Sequence, residues 1–203
     1  MAQPGYSAIS SYSRVQILQR LQESPGRGIA ELTEATGLHA NTVREHLQRL
    51  IEAGYVVPET EHRTVRGRPR VLYSAATGTD AASSPVAQRK AREAARRGDL
   101  MRRVMPWTDT DAELPADALH QLDALRDDLE GAGFDPIVDE SRLTLDLTPC
   151  AHAQAQAEHR GVLCSVHLGL MQGVLAEAGG PLEIDGMHPS CDPAQCVVQL
   201  ARA

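Results

Sequence analysis

Aromatic side chains are scarce: the 203 residues include one Trp, one Phe and four Tyr. Any core must therefore be built mainly from Leu, Val, Ile and Ala. No apolar run approaches the roughly 20 residues needed to cross a bilayer, so no membrane partner is expected. Residues 1–12 lack a basic start followed by an apolar stretch, which argues against a secretory signal and for a cytoplasmic protein. Nucleophile elbows, phosphate-cradling Gly loops and zinc-hydrolase signatures are all missing, so enzyme activity is not expected. Cysteine is absent from the first 149 residues, and no CxxC pair occurs anywhere.

The net charge of −7 looks wrong for a nucleic-acid binder, but the average hides a division. Residues 1–75 hold nine Lys+Arg against seven Asp+Glu, and residues 76–105 hold seven against three. Residues 106–203 hold four against seventeen. One half would attract phosphate and the other would repel it.

Periodicity divides the chain further. Residues 1–9 read as a tail. Val15 with Leu18, and Ile17 with Leu21, give one apolar helix face, ended by Pro25-Gly26. A short helix over about 29–36 and a turn at Gly37 follow. A third helix is predicted over about 40–53, with Val43, Leu47 and Leu50 inward and Gly54 as its stop. Two strands near 55–60 and 70–74 flank an Arg-rich loop. Two short helices, a turn, a third helix and a basic hairpin make a winged helix-turn-helix over 10–75. The third helix fits a major groove, and its outer face carries Asn41, Thr42, Arg44, Glu45 and Gln48. Arg44 and Gln48 are four apart and point the same way. The wing adds Arg63, Arg66, Arg68 and Arg70, with Gly67 to turn and Pro69 to stiffen the return. Double-stranded DNA is the expected partner, read at a palindromic operator by a homodimer.

Residues 75–85 read as a small, polar linker, followed by a basic helix over 86–105 and a break at 107–113; 76–112 is thus a linking region. Over 113–203 the pattern is α-β-β-α-β-β, a separate cysteine-bearing sensor region, and the fold class is α+β. Leu119, Leu122, Leu125 and Leu129 stripe the first helix of that region; this stripe and the 86–105 helix are the two candidates for the dimer interface, and either could instead be domain core. Asp123, Asp127 and Asp128 read as a solvated face. Gly169 and Gly173, four apart in a long helix over about 154–178, read as close helix packing.

The four cysteines are Cys150, Cys164, Cys191 and Cys196, spaced C-x13-C-x26-C-x4-C. This is no zinc ribbon; only a fold would bring such a set together. Cys150 follows a strand, Cys164 lies in the long helix, Cys191 sits in a loop and Cys196 opens the last strand. Thiolates suit an Fe–S cluster or zinc, with His152 and His167 as nearby substitutes. A metal-free thiol switch, simple burial, and an organic-ligand sensor with incidental cysteines remain as alternatives.

The run GLHANTVREHLQRLIEAG at 37–54, followed by RGRP at 66–69 and Tyr73, resembles ArsR/DeoR-like winged-helix regulators. PCA at 149–151, VLCSVHLGL at 162–170 and the terminal CVV at 196–198 resemble the sensor motif of the SufR-type branch. That resemblance implies a dimeric transcriptional repressor carrying a cysteine-held Fe–S cluster, with [4Fe–4S] favoured over [2Fe–2S] and zinc as the alternative. It also implies that the cluster-bound form represses, and that the genes controlled serve cluster assembly or redox defence.

Overall fold

The computed structural model describes residues 9, 11–61, 69–80, 82–105, 114–150, 157–189 and 196–203. In chain order the elements are α1 (Tyr12–Glu23), α2 (Ile29–Thr36), α3 (Ala40–Ala53), β1 (Val56–Thr60) and β2 (Val71–Ala75). They continue with α4 (Pro85–Val104), α5 (Ala116–Gly131), β3 (Ile137–Asp139) and β4 (Thr144–Asp146). Last come α6 (Ala157–Ala178), β5 (Leu182–Pro189) and β6 (Cys196–Arg202).

The first three helices pack through the residues their periodicity selects. Val15, Ile17, Leu18 and Leu21 of α1 meet Leu32 of α2 and Val43, Leu47 and Leu50 of α3, all nearly inaccessible to water. Gly37 ends α2 in the left-handed region (φ 69°), donating its N–H to Thr33 O, and turns the chain into α3. The hairpin pairs Val56–Thr60 with Val71–Ala75 in antiparallel register. Arg27 exchanges both backbone hydrogen bonds with Tyr73, which fastens the hairpin to the turn before α2.

The C-terminal half is a four-stranded antiparallel sheet, order β3-β4-β6-β5, with α5 and α6 packed together and α6 also against β5. Leu145, Leu147, Val198 and Leu200 of the sheet meet Leu122, Leu125, Leu129, Met171 and Leu175 of the helices in the core. Three of the four stripe leucines of α5, Leu122, Leu125 and Leu129, are thus buried in the core, and Leu119 is half-buried. Gln121, buried among these leucines, donates to Leu175 O and Leu182 O at 3.0 Å each and accepts from Leu182 N–H at 2.7 Å. It clamps α5 to the α6–β5 turn.

Two expectations change in the folded chain, and a third feature needs its fold to be read correctly. The two halves share one continuous buried cluster, running from Val15 through Leu125 to Leu200, rather than standing apart. The polar stretch after β2 does not hang free: Ala75, Ala76, Ala82 and Ser84 are buried, and Ser83 Oγ and Ser84 N–H both donate to Glu177 of α6. Small side chains there permit close packing, which composition alone cannot separate from flexibility. And α6 is long and apolar enough to pass for a membrane span by length and composition, because Ala, Gly and Ser count as apolar or neutral between its leucines; in this fold it packs against α1, α4, α5 and β5.

Candidate nucleic-acid interface and cysteine cluster

α3 buries Val43, Leu47 and Leu50 and turns Asn41, Arg44, Glu45 and Gln48 outward, with Thr42 half-buried beside them. Its start is capped by His39, whose Nδ1 accepts from Asn41 N–H at 3.2 Å. The outer side chains pair along the helix: Arg44 donates to Asn41 Oδ1 at 2.8 Å, Arg49 to Glu45 at 2.7 Å and Gln48 to Glu52 at 2.8 Å. These i,i+3 and i,i+4 pairs are exposed, so each is worth only a few tenths of a kcal/mol. They hold the donors in a common orientation yet exchange readily for another acceptor. Gly54 closes α3 in the left-handed region (φ 89°), and a Cβ there would press on Ala87 N at 3.0 Å. Positive φ and close approach together require glycine at this point.

Sequence reasoning missed the charge behind this helix. Arg14 of α1 is buried, and its guanidinium pKa is pulled down by burial, then by Arg49, against the pull of Glu45. His46 is likewise pushed below the ordinary histidine value, by burial and then by Arg14. A cation inside an apolar face breaks the expected pattern, and that anomaly was the available signal. Of the wing arginines, Arg70 is exposed and its carbonyl accepts from Glu61 N–H at 2.8 Å. Arg63, Arg66 and Arg68 lie outside the described residues.

α4, α5 and the reading unit are tied by charge. Arg97 pairs with Asp127, and Arg102 makes a two-pronged contact with Asp123 at 2.7 and 3.0 Å and a third with Asp99 at 3.0 Å. Tyr55 donates its hydroxyl to Asp128 at 3.3 Å. The three aspartates expected on a solvated face are therefore the anchors of α5 to α4 and to the end of α3. Their partners lie 21 to 73 residues away in sequence, so no local pattern reveals them.

The fold brings three cysteines towards one region. Cys196 opens β6; its N–H donates to Thr148 Oγ1 at 3.3 Å and its carbonyl accepts from Leu147 N–H at 2.8 Å, which sets it beside the strand end leading to Cys150. The Cys196 thiol is pushed up to about 11, first by burial and then by Cys150, Cys164 and Asp146. Cys150 and Cys196 pack against the core, and all three thiols are half-buried. As a donor set they suit a thiophilic metal centre. Among the described residues, however, no three His, Cys, Asp or Glu side chains are close enough to enclose an ion. Cys191 and His152 lie outside those residues. His167 is buried and its ring stacks on Phe134 with centroids 4.6 Å apart, a packing position.

Residues 11–57 match the family described as winged helix-turn-helix DNA-binding. The chain is also similar to the HTH-type transcriptional regulator YgaV of Escherichia coli (strain K12), 37% identical over 67 residues. That alignment covers 33% of this chain and 62% of the relative. Both matches are to DNA-binding proteins rather than enzymes. No solved structure matches the chain significantly.

Proposed function

We propose that the chain is a cytoplasmic, homodimeric transcriptional regulator, a repressor, that reads duplex DNA through α3 and the wing and senses iron–sulfur or redox status through its cysteines. The observation that carries the DNA reading is a helix-turn-helix whose third helix turns Asn41, Arg44, Glu45 and Gln48 to solvent over a fully buried Val43–Leu47–Leu50 face, in the region of the family match. In this reading Arg44 and Gln48 address base edges, Asn41 and Thr42 the adjoining phosphates, and Arg63, Arg66, Arg68 and Arg70 the backbone or a narrow minor groove.

The metal reading rests on the placement of Cys196, which opens β6 beside the strand end leading to Cys150, with Cys150 and Cys164 both near enough to raise its thiol. A thiol raised to about 11 is protonated at neutral pH and a poor nucleophile. That weighs against a bare thiol switch at Cys196. Cys150, Cys164 and Cys196 would be three ligands, and Cys191, two residues beyond the end of β5, the fourth. A bound [4Fe–4S] cluster would supply sensitivity to oxygen, peroxide or nitric oxide. The residues around it do the coupling: Cys164 shares α6 with the residues that grip α1, so a change at the thiols reaches the reading unit through one rigid helix.

The deciding experiment is anaerobic reconstitution followed by absorbance and iron and zinc analysis, with Cys150→Ser and Cys164→Ser each expected to abolish the iron-dependent band. Stoichiometric zinc without iron would replace the cluster by a zinc site. A gel shift of metal-loaded and metal-free protein on the promoter of its own gene then tests repression. Absence of duplex binding in both states at low salt would overturn the regulator reading.

A further inference from the structure

A cleft of about 480 Å³, with no cysteine among its lining residues, lies where the end of α3 meets α4, α5 and α6. We propose that it binds a small organic cation, an amine carried on a compact apolar group, and that its occupancy is felt by the reading helix. The volume is that of a small-ligand site. One wall is apolar, formed by Leu170, Val174, Ala91 and Ala124. The polar lining holds five carboxylates against the two cations Arg49 and Lys90, which disfavours anionic ligands and favours an ammonium group.

Four of those carboxylates are already served: Glu52 by Gln48, Asp127 by Arg97, Glu130 by Arg126, and Glu177 by Ser83 and Ser84. The fifth, Asp128, has the Tyr55 hydroxyl at 3.3 Å and Lys90 at longer range. Burial raises its pKa, which Lys90 and Tyr55 only oppose. Asp128 is thus the acceptor with most to gain from an incoming N–H⁺ donor.

Coupling follows from what Lys90 does. Its Nζ donates to Ala53 O at 2.8 Å and lies 5.6 Å from the Tyr55 ring centroid. A cation on the last carbonyls of α3 favours that helix end electrostatically. A ligand ammonium drawn to Asp128 repels Lys90 and competes for the same ring and carboxylate. The end of α3 would lose its lysine and shift relative to α4. This mechanism needs no metal and is independent of the cysteine reading.

The test is calorimetric titration of the intact 203-residue chain with benzylamine, with benzyl alcohol as neutral isostere and benzoate as anion. Saturable one-to-one binding of benzylamine is expected, with both controls weaker by about tenfold or more. Asp128→Asn should bring benzylamine down to the level of benzyl alcohol. Val174→Phe, which fills the cleft from its apolar wall, should abolish binding without touching the charge. No saturable benzylamine binding, benzoate binding as tightly, or binding unaltered in both variants would overturn the site. In a second arm, saturating benzylamine should change wild-type affinity for the promoter duplex severalfold; binding without any change there would overturn the coupling. The calorimetry uses neither DNA nor metal, so its failure is distinct from failure of the regulator reading.

Discussion

The side-chain amide of Gln22, in α1, donates to the backbone carbonyl of Val166, in α6, at 3.1 Å. Gly169 lies beneath it, with no room for even a Cβ, which would stand 2.4 Å from Gln22 Nε2. Nearby, Tyr12 of α1 stacks on His159 of α6 with ring centroids 3.7 Å apart. One turn further along α6, a Cβ on Gly173 would strike Ala76 O at 2.6 Å. The helix bearing Cys164 is therefore set directly against the helix that backs the DNA-reading unit. Gln22→Ala should cost about 1 kcal/mol in urea unfolding, the usual net worth of one such hydrogen bond. Unchanged stability would mean the contact is incidental.

Gln121 is the more severe test of the C-terminal core. It satisfies two carbonyls and one N–H, all buried. Leucine is close in size but would leave those groups without partners. Gln121→Leu should destabilise the chain by about 2–4 kcal/mol, measured by the urea midpoint. A loss below about 0.5 kcal/mol would show that the turn finds other donors.

The sign of the Asp128 effect can be fixed. Its carboxyl is raised from its usual value, by burial first. The folded state therefore prefers the protonated acid more than the unfolded chain does, and stability from this group falls as pH rises through the acid range. Asp128→Asn keeps an acceptor for Tyr55 but cannot ionise. The variant should equal or exceed the wild-type melting temperature at pH 7, with the advantage shrinking as pH falls toward the carboxylate range. An advantage that grew on acidification would reverse the assignment.

Which parts of this arrangement are legible in the sequence follows from how far apart the partners lie. α3 is written locally: three apolar residues at helical spacing and a terminal Gly54 fix its span, its buried face and its outward residues. The hairpin and the order of elements after α4 are read from patterns of the same local kind. The grip of α1 on α6 joins residues 144 apart, and periodicity carries no information at that range. The aspartates of α5 failed for the same reason, since an acidic residue facing an arginine on another helix looks no different in sequence from one facing water. Cysteine spacing carries no distance information either: Cys196 lies beside the strand end leading to Cys150, yet among the described residues no three candidate ligands are close enough to enclose an ion.

On DNA, the two classes of residue should separate by salt. Arg66→Ala or Arg68→Ala should weaken binding to all duplexes and reduce the logarithmic salt slope by about one for each phosphate no longer neutralised. Arg44→Ala should leave the slope nearly intact and relax preference at one or two base positions. Anisotropy titrations at several salt concentrations, on operator and scrambled duplexes, distinguish these outcomes. If Arg44→Ala changed only the slope, its role would be to bind phosphate.

The last prediction isolates the route between the cysteines and the DNA. Gly169→Ala introduces a methyl group where Gln22 now lies, and the flexible amide would swing away, breaking its bond to Val166. In a Gln22→Ala background the same methyl group has space, and alanine is about 1 kcal/mol better than glycine inside a helix. The double variant should therefore be more stable than Gln22→Ala alone, while Gly169→Ala alone gains less than that or loses stability. Such non-additivity is the signature of two residues that touch. The functional reading adds a second quantity, the ratio of operator affinity between metal-loaded and metal-free protein, which measures the coupling free energy. All three variants lack the α1–α6 hydrogen bond, so all three should show this ratio moved toward one, whatever their stability. If the ratio stayed at its wild-type value while the stabilities followed the predicted cycle, the Gln22–Val166 bond would be purely structural, and the signal would have to cross between the halves through α4 and Glu177 instead.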